Sequence, residues 1–464
     1  MVPSLALRNR GRIGVGAAGV LLASLVLAGC GGSGETLTGR GGAGGTGLGG
    51  HAGGATGTGG ATGTGGGMGG GTGGVGASNG AFGTNVDVLM MIDNSSSMLE
   101  MQQKLSAQLP LFIQALQNLP TQPNLHLAVV SSDMGAPGDS TSSIQCTTNG
   151  DQGEFHAQPE GTCTSTTLTA GATFISDVDN MPNYTDTSLS DVLQCIALLG
   201  DKGCGFEHQL ASIDRALGAD GTGAVPSTNA GFLRSNAYLV IFLLTNEDDC
   251  SAPANTTIYS LNGYQQNISN PDGPIANYRC NGGPRGAHYC QRPSKGNTWL
   301  VPPLTPPVDY QGTAAAPTLD LANCVDNEAP PNGTGTSALT PVSQFISDIK
   351  SLKPDPDNQI VVAAIAGPAA PYTVAWVPAS GGQNTASGEL WPEVMHSCGA
   401  AGSFDVNPEA TQNPTDGSFA DPGVRITQFV NAFPNSVLGS ICDASYAATM
   451  TAVATKIGQL IAHP

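Results

Sequence analysis

Over 464 residues the chain carries 65 glycines and 32 prolines, while Asp, Glu, Lys and Arg make up only 11% of it, against roughly 25% in an ordinary globular domain. Acids outnumber bases 35 to 16, for a net charge of −19. Neutralising phosphates needs clustered Lys and Arg, so this balance excludes a nucleic-acid partner.

Residues 1–29 place Arg8, Arg10 and Arg12 ahead of an apolar stretch from Ile13 to Ala28 and contain no acid. That is the n-region and h-region of a signal peptide, too short for a comfortable membrane span. The segment ends Leu27-Ala28-Gly29-Cys30, which resembles the lipobox of bacterial lipoproteins. The resemblance implies that the Cys30 thiol is diacylated and opens the mature chain, with two or three acyl chains giving a stable membrane anchor. An ordinary cleaved signal peptide, with Cys30 in a disulfide, is the alternative. Gly31 stands where an Asp would favour inner-membrane retention, so the same resemblance implies an outer-membrane lipoprotein of a Gram-negative bacterium, periplasmic or surface-facing.

Residues 30–80 read as the lipidated Cys followed by a tether. Between Gly31 and Gly80, 27 of 50 residues are glycine; such a segment buries too little side chain to offset backbone ordering and is expected to be disordered. As a Gly-rich coil it spans on the order of 40 Å. The folded part is therefore expected over 81–464.

With Cys30 assigned to lipid, ten cysteines remain: Cys146, Cys163, Cys195, Cys204, Cys250, Cys280, Cys290, Cys324, Cys398 and Cys442. An even number in an exported chain reads as five disulfides. Local pairing joins Cys146 to Cys163, Cys195 to Cys204 and Cys280 to Cys290; elimination then joins Cys250 to Cys324 and Cys398 to Cys442. The absence of a Cys-x-x-Cys and the scatter of the seven histidines argue against zinc or thioredoxin-like redox chemistry.

Val86 to Ile92, apolar apart from Asp87, predicts a buried strand. It leads into a helical pattern of Met98, Met101, Leu105, Leu109, Phe112, Ile113 and Leu116. Further strands are expected at Leu125 to Val130, Ala237 to Leu244 and Gln359 to Ala366. Helices are expected around Leu210, Ile213 and Leu217, from Val342 to Leu352, and from Met450 to Ile461, with Thr340 as N-cap and Pro341 as first residue of the second of these. Buried strands alternating with helices predict an α/β fold, a doubly wound, mainly parallel sheet. The stretches 134–205 and 250–339 are rich in Gly, Pro, Asn, Ser and Cys and are read as disulfide-held insertions.

The first strand ends in Ile92-Asp93-Asn94-Ser95-Ser96-Ser97, with three oxygen-bearing side chains, Asp93, Ser95 and Ser97, at alternate positions of a turn before a helix. Open α/β sheets place their ligands at such strand ends. Ser-rich turns are also common plain N-caps. In this context the turn resembles the Asp-x-Ser-x-Ser signature of the von Willebrand factor type A domain, and the chain is similar to that family over roughly residues 84–461. The resemblance implies a Rossmann-like sheet and a metal-ion-dependent adhesion site, where Asp93, Ser95 and Ser97 hold a divalent cation whose shell an acidic residue of a protein partner completes. Hard oxygen ligands suit Mg²⁺, Mn²⁺ or Ca²⁺.

Two other loops of the site depart from the family pattern. Asn246 stands where the family carries an Asp, which removes a charge; Glu247 or Asp248 can substitute for it, or the loop is simply acidic and braced by Cys250. The family's Thr has no clear counterpart; Glu207 is the best positional match, either a cation ligand or a residue favouring a helix N-terminus. The expected metal residues are thus Asp93, Ser95, Ser97, Glu207 and Asn246.

Asp177, Asp179 and Asn180 start like a calcium loop, but Met181 breaks the ligand spacing. No nucleophile elbow or phosphate-binding loop is present; His126, in the second strand, reads as a core or edge residue, and His208, beside Glu207, has no nucleophile at recognisable spacing to make it a general acid or base. The expected function is therefore non-enzymatic: lipid-anchored, cation-dependent protein binding or adhesion. The alternative is a metal-independent envelope scaffold with a degenerate site.

Overall fold

The computed structural model describes residues 83–136, 146–158, 168–185, 188–259, 272–274, 277–330, 333–378, 390–403 and 405–462. The signal peptide, Cys30, the tether and Cys163 lie outside the described residues. In chain order the elements are β1 (Asn85–Ile92), α1 (Leu99–Ser106), α2 (Leu109–Gln117), β2 (Asn124–Ser131), β3 (Ile175–Val178), β4 (Met181–Pro182), α3 (Leu189–Ile196), α4 (Gln209–Leu217), β5 (Tyr238–Leu244), α5 (Tyr278–Asn281) and β6 (His288–Arg292). There follow β7 (Thr298–Leu300), β8 (Gln311–Thr313), β9 (Ala316–Asp326), α6 (Val342–Ser351), α7 (Pro356–Gln359), β10 (Ile360–Ala366), β11 (Tyr372–Pro378), β12 (Leu390–Val394), α8 (Val424–Asn431), β13 (Ser436–Ser440) and α9 (Ala447–Ala462).

Seven strands form a mixed sheet in the order β13-β10-β5-β1-β2-β3-β4. Its inner strands are mostly apolar because both faces are covered; one exception, the buried Asp87 of β1, accepts from Arg234 Nε at 2.7 Å. Val86, Val88, Met90 and Ile92 of β1 pack with Met101, Phe112, Leu193 and Val453 on one side. Leu89 and Met91 pack with Ile213, Phe345 and Phe429 on the other.

The expectation of a doubly wound, mainly parallel, Rossmann-like sheet of the von Willebrand type A kind is corrected by the strand pairings. Four are parallel, joining β1 to β2, β1 to β5, β10 to β5 and β10 to β13, and seven are antiparallel. The antiparallel edge of the first sheet is a β3–β4 hairpin. Asp179 and Asn180 turn it with φ of 53° and 61°, the left-handed pair that two-residue hairpins require and that Asp and Asn tolerate.

The remaining antiparallel pairs belong to a second, six-stranded sheet, β12-β11-β9-β6-β7, with β8 on β9. Four of its strands lie within 250–339, read from sequence as a disulfide-held insertion. Residues of β9 alternate between exposed and buried for most of its length, and Leu319 and Leu321 meet Val374, Trp376 and Val394 in a small core. Short half-buried strands leave a far weaker apolar signal than β1 or β5.

Two helix boundaries also differ from expectation. The stripe from Met98 to Leu116 is split between α1 and α2, because Pro110 in the first turn of α2 has no N–H and its ring clashes with the carbonyl of Ser106. The first residue of α6 is Val342, and Thr340 does not cap it. Instead Val342 N–H donates to Asp326 Oδ2 and Ser343 N–H to Glu328 Oε1, both at 2.9 Å.

The disulfides seen are Cys146–Cys204, Cys250–Cys280, Cys290–Cys324 and Cys398–Cys442, and Cys195 is also disulfide-bonded. Except for Cys398–Cys442, these replace the pairings read from sequence, since folding brings distant loops closer than their chain spacing suggests. The Arg425 guanidinium, fully buried, links the two sheets. Its Nε and Nη2 donate to Asp249 Oδ2 at 3.1 and 2.9 Å just past β5, and its Nη1 to Asp326 at the end of β9.

Candidate functional site

The turn after β1 lies where the carboxyl ends of β1 and β5 meet. Asp93 N–H donates to Leu244 O at 2.9 Å, which extends the parallel pairing one residue past the strand. The side chain is wholly buried and hydrogen-bonded through both oxygens. Oδ1 accepts from Ser95 N–H at 2.9 Å and Ser132 Oγ at 3.1 Å, and Oδ2 accepts from Thr245 Oγ1 at 2.8 Å. Burial pushes its carboxyl above the ordinary Asp range, while the donors from Ser95, Thr245 and Ser132 pull it back down.

Ser95 is 2% exposed; its Oγ makes no well-formed hydrogen bond, although it lies close enough to Asp93 to help lower that carboxyl. Asn94 Oδ1 is equally unpartnered. Buried polar atoms are nearly always satisfied, so each such oxygen calls for an explanation. Ser97 Oγ and the Asn246 amide bond each other across the site, at 3.1 to 3.3 Å. The turn is pressed against the segment before α4: Gly203 N–H donates to Asn94 O at 2.8 Å. A Cβ on Gly203 would lie 2.1 Å from Asn94 Oδ1, so only glycine fits.

Glu207 enters from the segment before α4 and is 4% exposed, with Oε1 unpartnered. Burial, then the nearby Glu247 and Asp93 carboxyls, hold it protonated well above the usual carboxylate range. Burial, with Asp421 and Asp93, raises Glu247 in the same direction. The two glutamates share a hydrogen bond, the behaviour of paired carboxyls that cannot both ionise.

Asp248, weighed from sequence as a substitute ligand, is committed elsewhere. It accepts from Arg425 N–H and Ile426 N–H at the start of α8, and His288 Nε2 lies 2.8 Å from it. Asp421 reaches the site through its backbone, donating N–H to Asn246 O at 2.9 Å, and its carboxylate contacts His396 Nδ1 at 2.5 Å. Burial opposes charge on His396, but its hydrogen bond to Asp421 and the charges of Asp421, Asp405 and Glu247 raise it to about 9. His208 is held neutral by burial, lowered to about 3, with Tyr259 Oη 3.2 Å from its Nδ1.

The fold thus brings Asp93, Ser95, Ser97, Glu207 and Asn246 to one place. Ser132 and Thr245, which orient Asp93, were missed. Each sits within two residues of the end of a predicted strand, so strand-end position was the signal that could have found them. Asp421 and His396 carry no local signal, arriving from far along the chain.

Among the described residues no three His, Cys, Asp or Glu side chains close into a metal-binding group. The oxygen set is instead one carboxylate oriented by three donors, a free hydroxyl, a free amide oxygen and a carboxyl with a free oxygen. This set suits a hard cation and offers nothing to a soft one. The orphaned Ser95, Asn94 and Glu207 oxygens are the structural reason to consider one.

No protein-family profile and no curated relative matches the chain. Among solved structures it is similar to the open conformation of the pilus adhesin SpaC from Lactobacillus rhamnosus GG, with 12% identity and a TM-score of 0.29 over 82% of this chain and 30% of that one. The pilus adhesin RrgA from Streptococcus pneumoniae matches at 11% identity and a TM-score of 0.24 over 61% of this chain and 39% of that one. The chain therefore spans well under half the length of either adhesin. No helix among the described residues is long and apolar enough to cross a membrane.

Proposed function

We propose that the chain is a lipid-anchored protein of the bacterial outer membrane that binds an acidic residue of a protein partner through a divalent cation, Mg²⁺, Mn²⁺ or Ca²⁺. Asp93, Ser95 and Ser97 would hold the cation, with Glu207 and Asn246 completing the protein's share. When bound, such a cation offers a positive centre to a carboxylate. The chain's own groups fix Asp93 in place through Ser132 and Thr245 and surround the site with buried backbone. The observation that carries this reading is the buried Ser95 Oγ, which lies close to the oriented Asp93 carboxylate and yet makes no well-formed hydrogen bond. The anchor rests on Leu27-Ala28-Gly29-Cys30. No reaction is assigned to it.

The test follows the melting temperature of the whole chain in EDTA and with each cation, beside Asp93→Ala. A ligand at 100 times its Kd adds about 2.7 kcal/mol, which moves Tm by several degrees. Stabilisation that disappears in Asp93→Ala supports the reading; no response to any cation at millimolar concentration removes it. One observation favours a second reading, a metal-independent envelope scaffold: Ser97 and Asn246 already satisfy each other.

A further inference from the structure

Beside the Asp93 turn lies a cavity of about 220 Å³, bordered by Glu207, Glu247, Asp421 and Asn281 at its polar end. Phe206 and the Cys250–Cys280 disulfide provide apolar wall. Small-molecule pockets run from roughly 300 Å³ upward, so this one has room for a single side chain.

Its buried polar atoms lack a donor. Asn281 is 3% exposed; its Nδ2 donates to Asn277 O, which leaves Oδ1 as an acceptor that nothing reaches. Glu207 Oε1 is in the same condition. The other acids at the rim are spoken for: Asp421 is paired with His396, and Asp248 with His288 and the start of α8. The acceptors with capacity left are therefore the glutamate pair, which share a bond only with each other, and one amide oxygen.

We propose that this cavity receives a lysine side chain of the protein partner, its ammonium donating to Glu207, Glu247 and Asn281 while its alkyl stem lies on Phe206 and the disulfide. The inference rests on reading this face as the partner-binding surface. Three donors on one ammonium match the acceptors available, whereas a guanidinium brings five in a rigid plane. A lysine stem covers apolar wall and keeps its charge at the far end; a bare cation would leave that wall wet.

The experiment uses the whole chain, once in EDTA and once in Mg²⁺, and titrates Nα-acetyl-lysine methylamide against its uncharged analogue Nα-acetyl-norleucine methylamide. The lysine probe is expected to raise Tm saturably, by about 2 °C or more at ten times its Kd. The norleucine probe is expected to do nothing, and Glu247→Gln to abolish the response. The response in EDTA separates the two ideas: a lysine effect there without any Mg²⁺ effect keeps the cavity and discards the cation, and a Mg²⁺ effect without a lysine effect does the reverse. No lysine response, an equal response to norleucine, or a response unchanged in Glu247→Gln overturns the proposal.

Discussion

Thr245 Oγ1 donates to Asp93 Oδ2 at 2.8 Å, and both side chains are wholly buried. The same hydroxyl accepts from Gln209 Nε2 at 2.8 Å, so one threonine joins the end of β5, the turn after β1 and the first residue of α4. Thr245→Val keeps the shape and removes the hydroxyl, stranding an acceptor on Asp93 and a donor on Gln209. The expected cost is about 1 to 3 kcal/mol, measured by urea unfolding, with Thr245→Ser restoring most of it. A Val variant as stable as the parent would deny the bond any role in holding the site.

Ser95 gives the opposite expectation. Its Oγ makes no well-formed hydrogen bond in the folded chain, so Ser95→Ala should change stability by no more than about 0.5 kcal/mol. Cation affinity, read by calorimetry, should fall about tenfold or more. Unaltered affinity would remove Ser95 from the ligand set.

Away from the site, Asp214 in α4 is 4% exposed. Burial first, then Asp348 of α6 and Asp220, raise it to about 9. A folded pKa above the unfolded one means its contribution to stability is complete below the ordinary Asp range and is lost as pH climbs toward 9. The Tm advantage of Asp214→Asn over the parent should therefore widen steadily from pH 5 to pH 9, by about a few degrees. A gap that stays constant across that window would show that Asp214 does not titrate there.

The Cys250–Cys280 disulfide closes a loop with a sequence separation of 30. Replacing both with serine should cost about 3 to 4 kcal/mol by loop-closure entropy, read by denaturant unfolding. Because Cys250 also donates N–H to Glu207 O at 2.8 Å, the loop before α4 should lose protection from hydrogen exchange more than α2 does. Uniform loss across the chain would contradict that localisation.

The strands that carry the Asp93 turn were legible because burial on both faces leaves a nearly unbroken apolar run, interrupted by Asp87 between Val86 and Ile92 and complete from Tyr238 to Leu244. The turn itself was legible from residue type, since Asp93, Ser95 and Ser97 are close in the chain. The second sheet was not, because strands such as β7 and β8 are three residues long and are set among prolines and glycines that read as loop. Its antiparallel pairings overturned the expected mainly parallel architecture. The disulfide pairs were illegible for a related reason: nearness in sequence says little about nearness once a sheet intervenes. Ser132 and Thr245 lay within reach of a strand-end argument, whereas Asp421 is brought to Asn246 only by tertiary contact.

The Arg425 guanidinium sets an order of assembly. It neutralises Asp249, 176 positions earlier, and Asp326, 99 positions earlier, while its backbone N–H caps Asp248, 177 positions earlier. Contacts of such long separation must wait for the intervening chain to be ordered. On a chain released N-terminus first, the acids after β5 stay mutually repelling and uncapped until α8 arrives. The candidate site is thus expected to mature late, and a truncation anywhere before residue 425 would leave the loop between Thr245 and Asp249 without its keystone.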